Sequence, residues 1–135
     1  MTRTILVCLI CIAIPVLGYA EEQVISCAIE DKFEVNDGRT ERLDPEGAFV
    51  LFKLFYDDGV LEHVEKVPRS SRCKDGPSVN ITSDYIELTC ESTLFTDYFS
   101  FYAVNRYTGE YREEHVSSDG KLVELGNCES VEPHF

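Results

Sequence analysis

Beyond residue 20, hydrophobic and polar residues alternate along much of the chain with a period of two. In residues 24–35, Ile25, Cys27, Ile29, Phe33 and Val35 share one parity, broken only by Asp31, while Ser26, Glu30, Lys32 and Glu34 hold the other. That period predicts a half-buried strand. Asn36-Asp37-Gly38 ends it, since these residues tolerate positive φ. Arg39 to Gly47 is polar and contains Asp44-Pro45, which predicts a turn rather than a further strand.

Ala48 to Tyr56 is the most apolar stretch of the chain after the leader, with Lys53 its only charge. Its length and aromatic content predict a central strand covered on both faces. Asp57-Asp58-Gly59 and then Val60 to Val67 predict a hairpin partner, ended by Pro68. Residues 68–78 read as a long loop around Cys73, carrying Arg69, Arg72 and Lys74 as the one basic cluster. Residues 79–91 predict one strand, with Ile86, Leu88 and Cys90 on a single face. Residues 97–107 predict another, with Phe99, Phe101 and Ala103 opposite Tyr98, Tyr102 and Val104. After Thr108-Gly109, Glu110 to Val116 reads as a polar edge strand. Ser118-Asp119-Gly120 turns the chain into a last strand, Lys121 to Leu125, before Gly126-Asn127-Cys128.

About seven short strands with regular turn signals and no helical period predict an all-β domain. The expected form is an antiparallel meander sheet, a small sandwich or a barrel. Residues 21–128 form that single domain, and 129–135 are expected to be a flexible tail.

The first twenty residues change the picture. Arg3 precedes an almost unbroken apolar run, Ile5 to Leu17, followed by Gly18-Tyr19-Ala20. This is the pattern of a secretory signal peptide with cleavage before Glu21. It predicts export to a periplasm or the extracellular space, and it removes Cys8 and Cys11. Four cysteines remain, Cys27, Cys73, Cys90 and Cys128. An even number in a small exported chain predicts two disulfides. Three pairings are possible. The expected one joins Cys27 to Cys128, tying the ends, and Cys73 to Cys90, closing the middle loop. No Cys-x-x-Cys spacing favours zinc instead.

The formal net charge is −13 over 135 residues. Such a surface repels nucleic acid and anionic lipid and would attract a basic protein or a divalent cation, with solubility as the simpler reading. No membrane association is expected once the leader is gone, and sequence does not fix the oligomeric state.

Candidate chemistry is sparse. His63 and His115 are each flanked by acids on expected strands. Brought together, they have the ligand types for zinc or copper, but polar-face exposure is the simpler expectation for both. No Gly-x-Ser-x-Gly or His-Glu-x-x-His occurs. The Asp-Gly turns lack EF-hand spacing. Asn80-Ile81-Thr82 is a glycosylation sequon that matters only in a eukaryotic host. No catalytic residue, metal or cofactor is therefore expected. Tyr98, Tyr102 and Tyr111 are candidates for an exposed aromatic strip that binds a partner or an apolar ligand.

Tyr102-Ala-Val-Asn-Arg-Tyr-Thr-Gly109-Glu-Tyr111, with the closing Gly126-Asn-Cys128, resembles the closing hairpin of small exported proteins of Gram-negative bacteria. Ser26-Cys27 and Asn36-Asp37-Gly38 are similar to their first strand and turn. The resemblance implies a periplasmic β-protein and brings no active site with it. The functional expectation is a non-catalytic, protein-binding or inhibitor-like module. The alternative is a carrier for a small apolar ligand in an aromatic-lined barrel.

Overall fold

Two Asp-Gly pairs set the first hairpins. Asp37 and Asp58 sit at φ 48° and 49°, each followed by a glycine at positive φ. That left-handed pair is the backbone of the tight turn whose twist matches antiparallel strands. The structure is a computed structural model and describes residues 21–67, 73, 76–91 and 98–131. The expected leader, the basic residues Arg69, Arg72 and Lys74, and residues 132–135 lie outside the described residues.

Nine strands are described: β1 (Glu21–Asn36), β2 (Arg39–Leu43), β3 (Phe49–Asp57), β4 (Val60–Val67), β5 (Ser78–Ile81), β6 (Tyr85–Glu91), β7 (Phe99–Asn105), β8 (Glu110–Ser117) and β9 (Gly120–Val131). Every pairing is antiparallel. The sheet order is β4-β3-β1-β9-β8-β7-β6-β5, with β2 paired to the far half of β1. Since β4 and β5 also approach each other, the sheet is nearly closed into a barrel. Apart from β2, strand neighbours follow chain order around it. Among the described residues there is no helix that is long and apolar enough to cross a membrane.

Both disulfides take the expected pairing. Cys27 and Cys128 face each other across β1 and β9 with Cα atoms 3.8 Å apart, and Cys73 bonds Cys90 on β6. Around them the inward residues of six strands make one apolar core, including Ile25, Phe52, Val64, Leu88, Val104 and Tyr111. Two glycines allow close approach at this staple. At Gly126 a β-carbon would run into the Ala28 carbonyl oxygen of β1. Gly109, at φ 75°, hydrogen-bonds with Cys128 through its carbonyl at 2.8 Å, and a β-carbon there would meet the Cys128 oxygen.

Several expectations are corrected. Residues 39–43 form β2, because a two-residue turn folds the chain straight back onto β1. The single strand expected over 79–91 is a hairpin, β5–β6. Thr82 Oγ1 accepts hydrogen bonds from the amides of Asp84 and Tyr85 and closes a turn there. β3 is covered on one face only: Phe52 is fully buried, while Phe49 is 64% exposed. β8 is not an edge strand, since it lies between β7 and β9. Nor is the tail loose from residue 129, because Glu129, Ser130 and Val131 pair with β1.

A one-residue bulge in β1 shapes the site. Ile29 pairs with Gly126 and Lys32 with Glu124. The β9 residues are two apart and share a face, whereas the β1 residues are three apart. Glu30 is the extra residue. Past it the alternation flips: Lys32 and Glu34 turn inward, and Phe33 and Val35 leave the face they were expected to share with Ile25 and Cys27.

Candidate functional site

The flip makes the two ends of the barrel interior different. One end is closed by the apolar core. At the other, inward positions carry Lys32 and Glu34 of β1, Lys66 of β4, Ser100 and Tyr102 of β7, and Glu113 and His115 of β8. Beyond them opens a cavity of about 640 Å³, whose walls include Lys32, Glu34, Asn36, Tyr98, His115 and Leu122.

Glu113 anchors its floor. It is only 5% exposed. One carboxylate oxygen accepts from the Tyr111 hydroxyl at 2.5 Å, and the other lies 2.5 Å from His115 Nε2. Burial alone raises a carboxyl pKa. Here the hydrogen bonds from His115 and Tyr111, with the charges of His115 and Lys66, outweigh it and hold Glu113 below its ordinary value. An ionised carboxylate only accepts, so His115 carries a proton on Nε2. Nδ1 then faces two hydroxyls, Tyr98 and Ser100, each at 2.8 Å. The Tyr98 ring stacks on His115 at 6.1 Å between centroids.

The neighbouring phenols stay protonated. Burial, reinforced by the Glu113 charge, pushes Tyr102 up to about 12 and raises Tyr111 further. Lys66 lies 5.2 Å above the Tyr102 ring, a cation–π contact that keeps a positive charge near Glu113. Lys32 pairs with Glu124 at 3.5 Å on the adjacent wall. No polar side-chain atom buried among the described residues lacks a hydrogen-bond partner, so this polar floor is preorganised.

Ser100, His115 and Glu113 are linked in the order of a hydrolase triad. Ser100 is only 2% exposed, however, beneath Tyr98 and His115. Its oxygen has no approach from the cavity, so the link orients the histidine and leaves Tyr98 as the hydroxyl at the wall.

The three tyrosines do not form an exposed strip. Tyr102 and Tyr111 are buried on the inward face, because β7 and β8 are central strands, and only Tyr98 reaches the cavity. The two histidines do not meet. His63 is exposed on β4, stacked on Phe55 and 3.3 Å from Glu65. His115 points inward, contrary to the expected exposure, because Glu113 and the two hydroxyls satisfy its ring. Among the described residues no group of three metal-ligating side chains gathers. Asn80 is exposed on β5 and donates to Glu87 at 3.0 Å.

Ser100, Lys32, Glu34 and Asn36 are site residues that alternation alone missed. The signal for the floor was present: Tyr111, Glu113 and His115 share one parity, and two of the three are polar. Comparison with protein-family models, with curated proteins and with solved structures found no match for the chain.

Proposed function

We propose that this is an exported, non-catalytic binding protein that holds a small ligand in the polar mouth of its barrel. The single observation that carries this is the cavity of about 640 Å³ over the Glu113–His115–Tyr98 floor. Ligand sites are concave, of this size, and have a few fixed polar groups. The ligand is polar rather than apolar. Phe52, Val64, Leu88 and Tyr111 fill the apolar interior, while the open space sets charged and hydroxyl side chains beside Leu43 and Leu122. The sealed position of Ser100 supports binding over hydrolysis. The leader-like residues 1–20 and the two disulfides support export.

The test is a thermal-shift screen of small metabolites on the oxidised protein, repeated on Leu122→Trp, which fills the mouth. Ligands should raise the melting temperature of the wild type and not of the variant. Equal shifts in both would remove the mouth as the site. Mass spectrometry of the exported protein should find Glu21 as its first residue.

The net charge of −13 favours a second reading, in which the acidic outer surface docks a basic protein. Capture of a basic partner at low salt, released at high salt, supports it. No capture at low salt counts against it.

A further inference from the structure

Resting on the small-ligand reading, we propose that the mouth takes a hydroxyl-rich ligand of the saccharide class. Charge comes first. Lys32 and Lys121 line the mouth beside Glu34 and Asp119. Each lysine is already paired outside that set, Lys32 with Glu124 and Lys121 with Glu114. Among the described residues the mouth therefore offers no free positive charge for a phosphate or carboxylate, and Glu34 and Asp119 stand as acceptors for hydroxyl donors.

The direction of the hydrogen bonds comes second. His115 Nδ1 offers at most one lone pair, yet two hydroxyls sit 2.8 Å from it. Ser100 is sealed, with the Tyr102 hydroxyl as a further partner. Tyr98 is half-buried at the cavity wall. A phenol has one donor and two acceptor sites, and its single contact with Nδ1 leaves Tyr98 capacity to bond a ligand hydroxyl. Glu34, which accepts from Asn36 at 2.8 Å, keeps further lone pairs as an acceptor. A partner for this wall must donate to Glu34 and meet the Tyr98 phenol at short spacing, as a hydroxyl does. A hydrocarbon would strip water from these groups and leave them unpaired, at about 1–3 kcal/mol each.

Shape comes third. The Tyr98 ring and the Leu43 and Leu122 side chains give the same cavity flat apolar surface. A sugar ring offers C–H faces to such surfaces and hydroxyls at its rim.

The test is a nuclear magnetic resonance titration of the ¹⁵N-labelled, oxidised protein. The probes are neutral mono- and disaccharides (glucose, galactose, N-acetylglucosamine and its dimer), inorganic phosphate and decanoate. Expected is saturable movement of the amides of Glu34, Asn36, Tyr98 and Leu122 with at least one sugar, and none with phosphate or decanoate. Tyr98→Phe and Glu34→Gln should each weaken that binding about tenfold, the loss of one good hydrogen bond, while keeping a dispersed spectrum. If phosphate or decanoate moves these amides and the sugars do not, the ligand class is overturned and the small-ligand reading stands. If no probe moves them, the class is overturned. If the metabolite screen is also blank, the small-ligand reading falls with it.

Discussion

Replacing Glu113 by Gln tests whether the floor of the mouth is built as described. The carboxylate accepts from Tyr111 and His115, both at 2.5 Å, and is nearly sealed from water. Gln keeps the shape but presents one oxygen and one NH₂. If the NH₂ faces His115, the ring must carry its proton on Nδ1 so that Nε2 accepts, and the Ser100 and Tyr98 hydroxyls must turn to receive it. If it faces Tyr111, the phenol can accept from it, but its own hydrogen then has no partner. In the first arrangement the network is rebuilt, and two charge-assisted bonds become neutral ones, each weaker by about 1 kcal/mol. The expected loss is about 1–3 kcal/mol near neutral pH, read by urea denaturation with the disulfides intact. Tyr111→Phe should cost less in the Glu113→Gln background than in the wild type, since the bond it removes is no longer charge-assisted. The pH dependence has a definite sign. Glu113 is held below its ordinary value in the fold. Its contribution is therefore present above the unfolded carboxyl pKa of about 4.3 and is lost as pH falls through the lower folded value. The stability gap between wild type and Glu113→Gln should close in acid. A gap under about 1 kcal/mol at neutral pH, or one that persists undiminished to roughly pH 2, refutes the reasoning.

Three further outcomes are expected. Gly126→Ala drives a methyl into the Ala28 carbonyl and should cost about 1–3 kcal/mol in a denaturation curve, as overpacking does. Removing the Cys27–Cys128 bond by a double serine substitution opens a loop of sequence separation 101 and should cost about 4–5 kcal/mol, more than the loss of Cys73–Cys90, which closes only 17. Tyr102, pushed up to about 12, protects the fold below the ordinary phenol pKa of about 10 and loses that contribution as pH rises through its own value. In an alkaline titration followed by phenolate absorbance, Tyr102→Phe should remove a late-titrating component, and one that titrates at the ordinary phenol value contradicts its burial.

Alternation and turn chemistry make most of the barrel legible. Val60–Val67 is readable at its true bounds because Asp58-Gly59 and Pro68 punctuate it. Ile86, Leu88 and Cys90 face inward as their parity requires. What fails are the places where side chains override composition. Thr82 closes a turn inside a β-rich run with its hydroxyl, a signal present in Thr82-Ser83-Asp84 but outweighed by Ile81 and Ile86. β8 reads as an edge strand because it is charged. Yet its outward Arg112 and Glu114 pair with each other at 3.1 Å, and its inward Glu113 and His115 satisfy one another. Polarity suggests exposure in a bare sequence, and in this central strand it signals a buried network. His115 escapes the expected site for the same reason. The cysteine pairing is open among three choices on paper, and strand register settles it by placing Cys27 directly against Cys128.

The β1 wall of the polar mouth depends on Glu30. With strict alternation, Phe33 and Val35 would continue the face of Ile25, Cys27 and Ile29, and that wall would be apolar beside the polar residues of β7 and β8. An apolar interior is the less demanding arrangement, since burying Glu113 and His115 requires every one of their hydrogen bonds and charges to be matched. The fold instead inserts one residue, turns Lys32 and Glu34 inward and meets the requirement with Tyr111, Ser100, Tyr98 and Glu124. Stability alone does not account for that arrangement. The proposed ligand, with its need for oriented donors and acceptors, would account for it, and on that proposal the bulge is where the chain gives up packing for recognition.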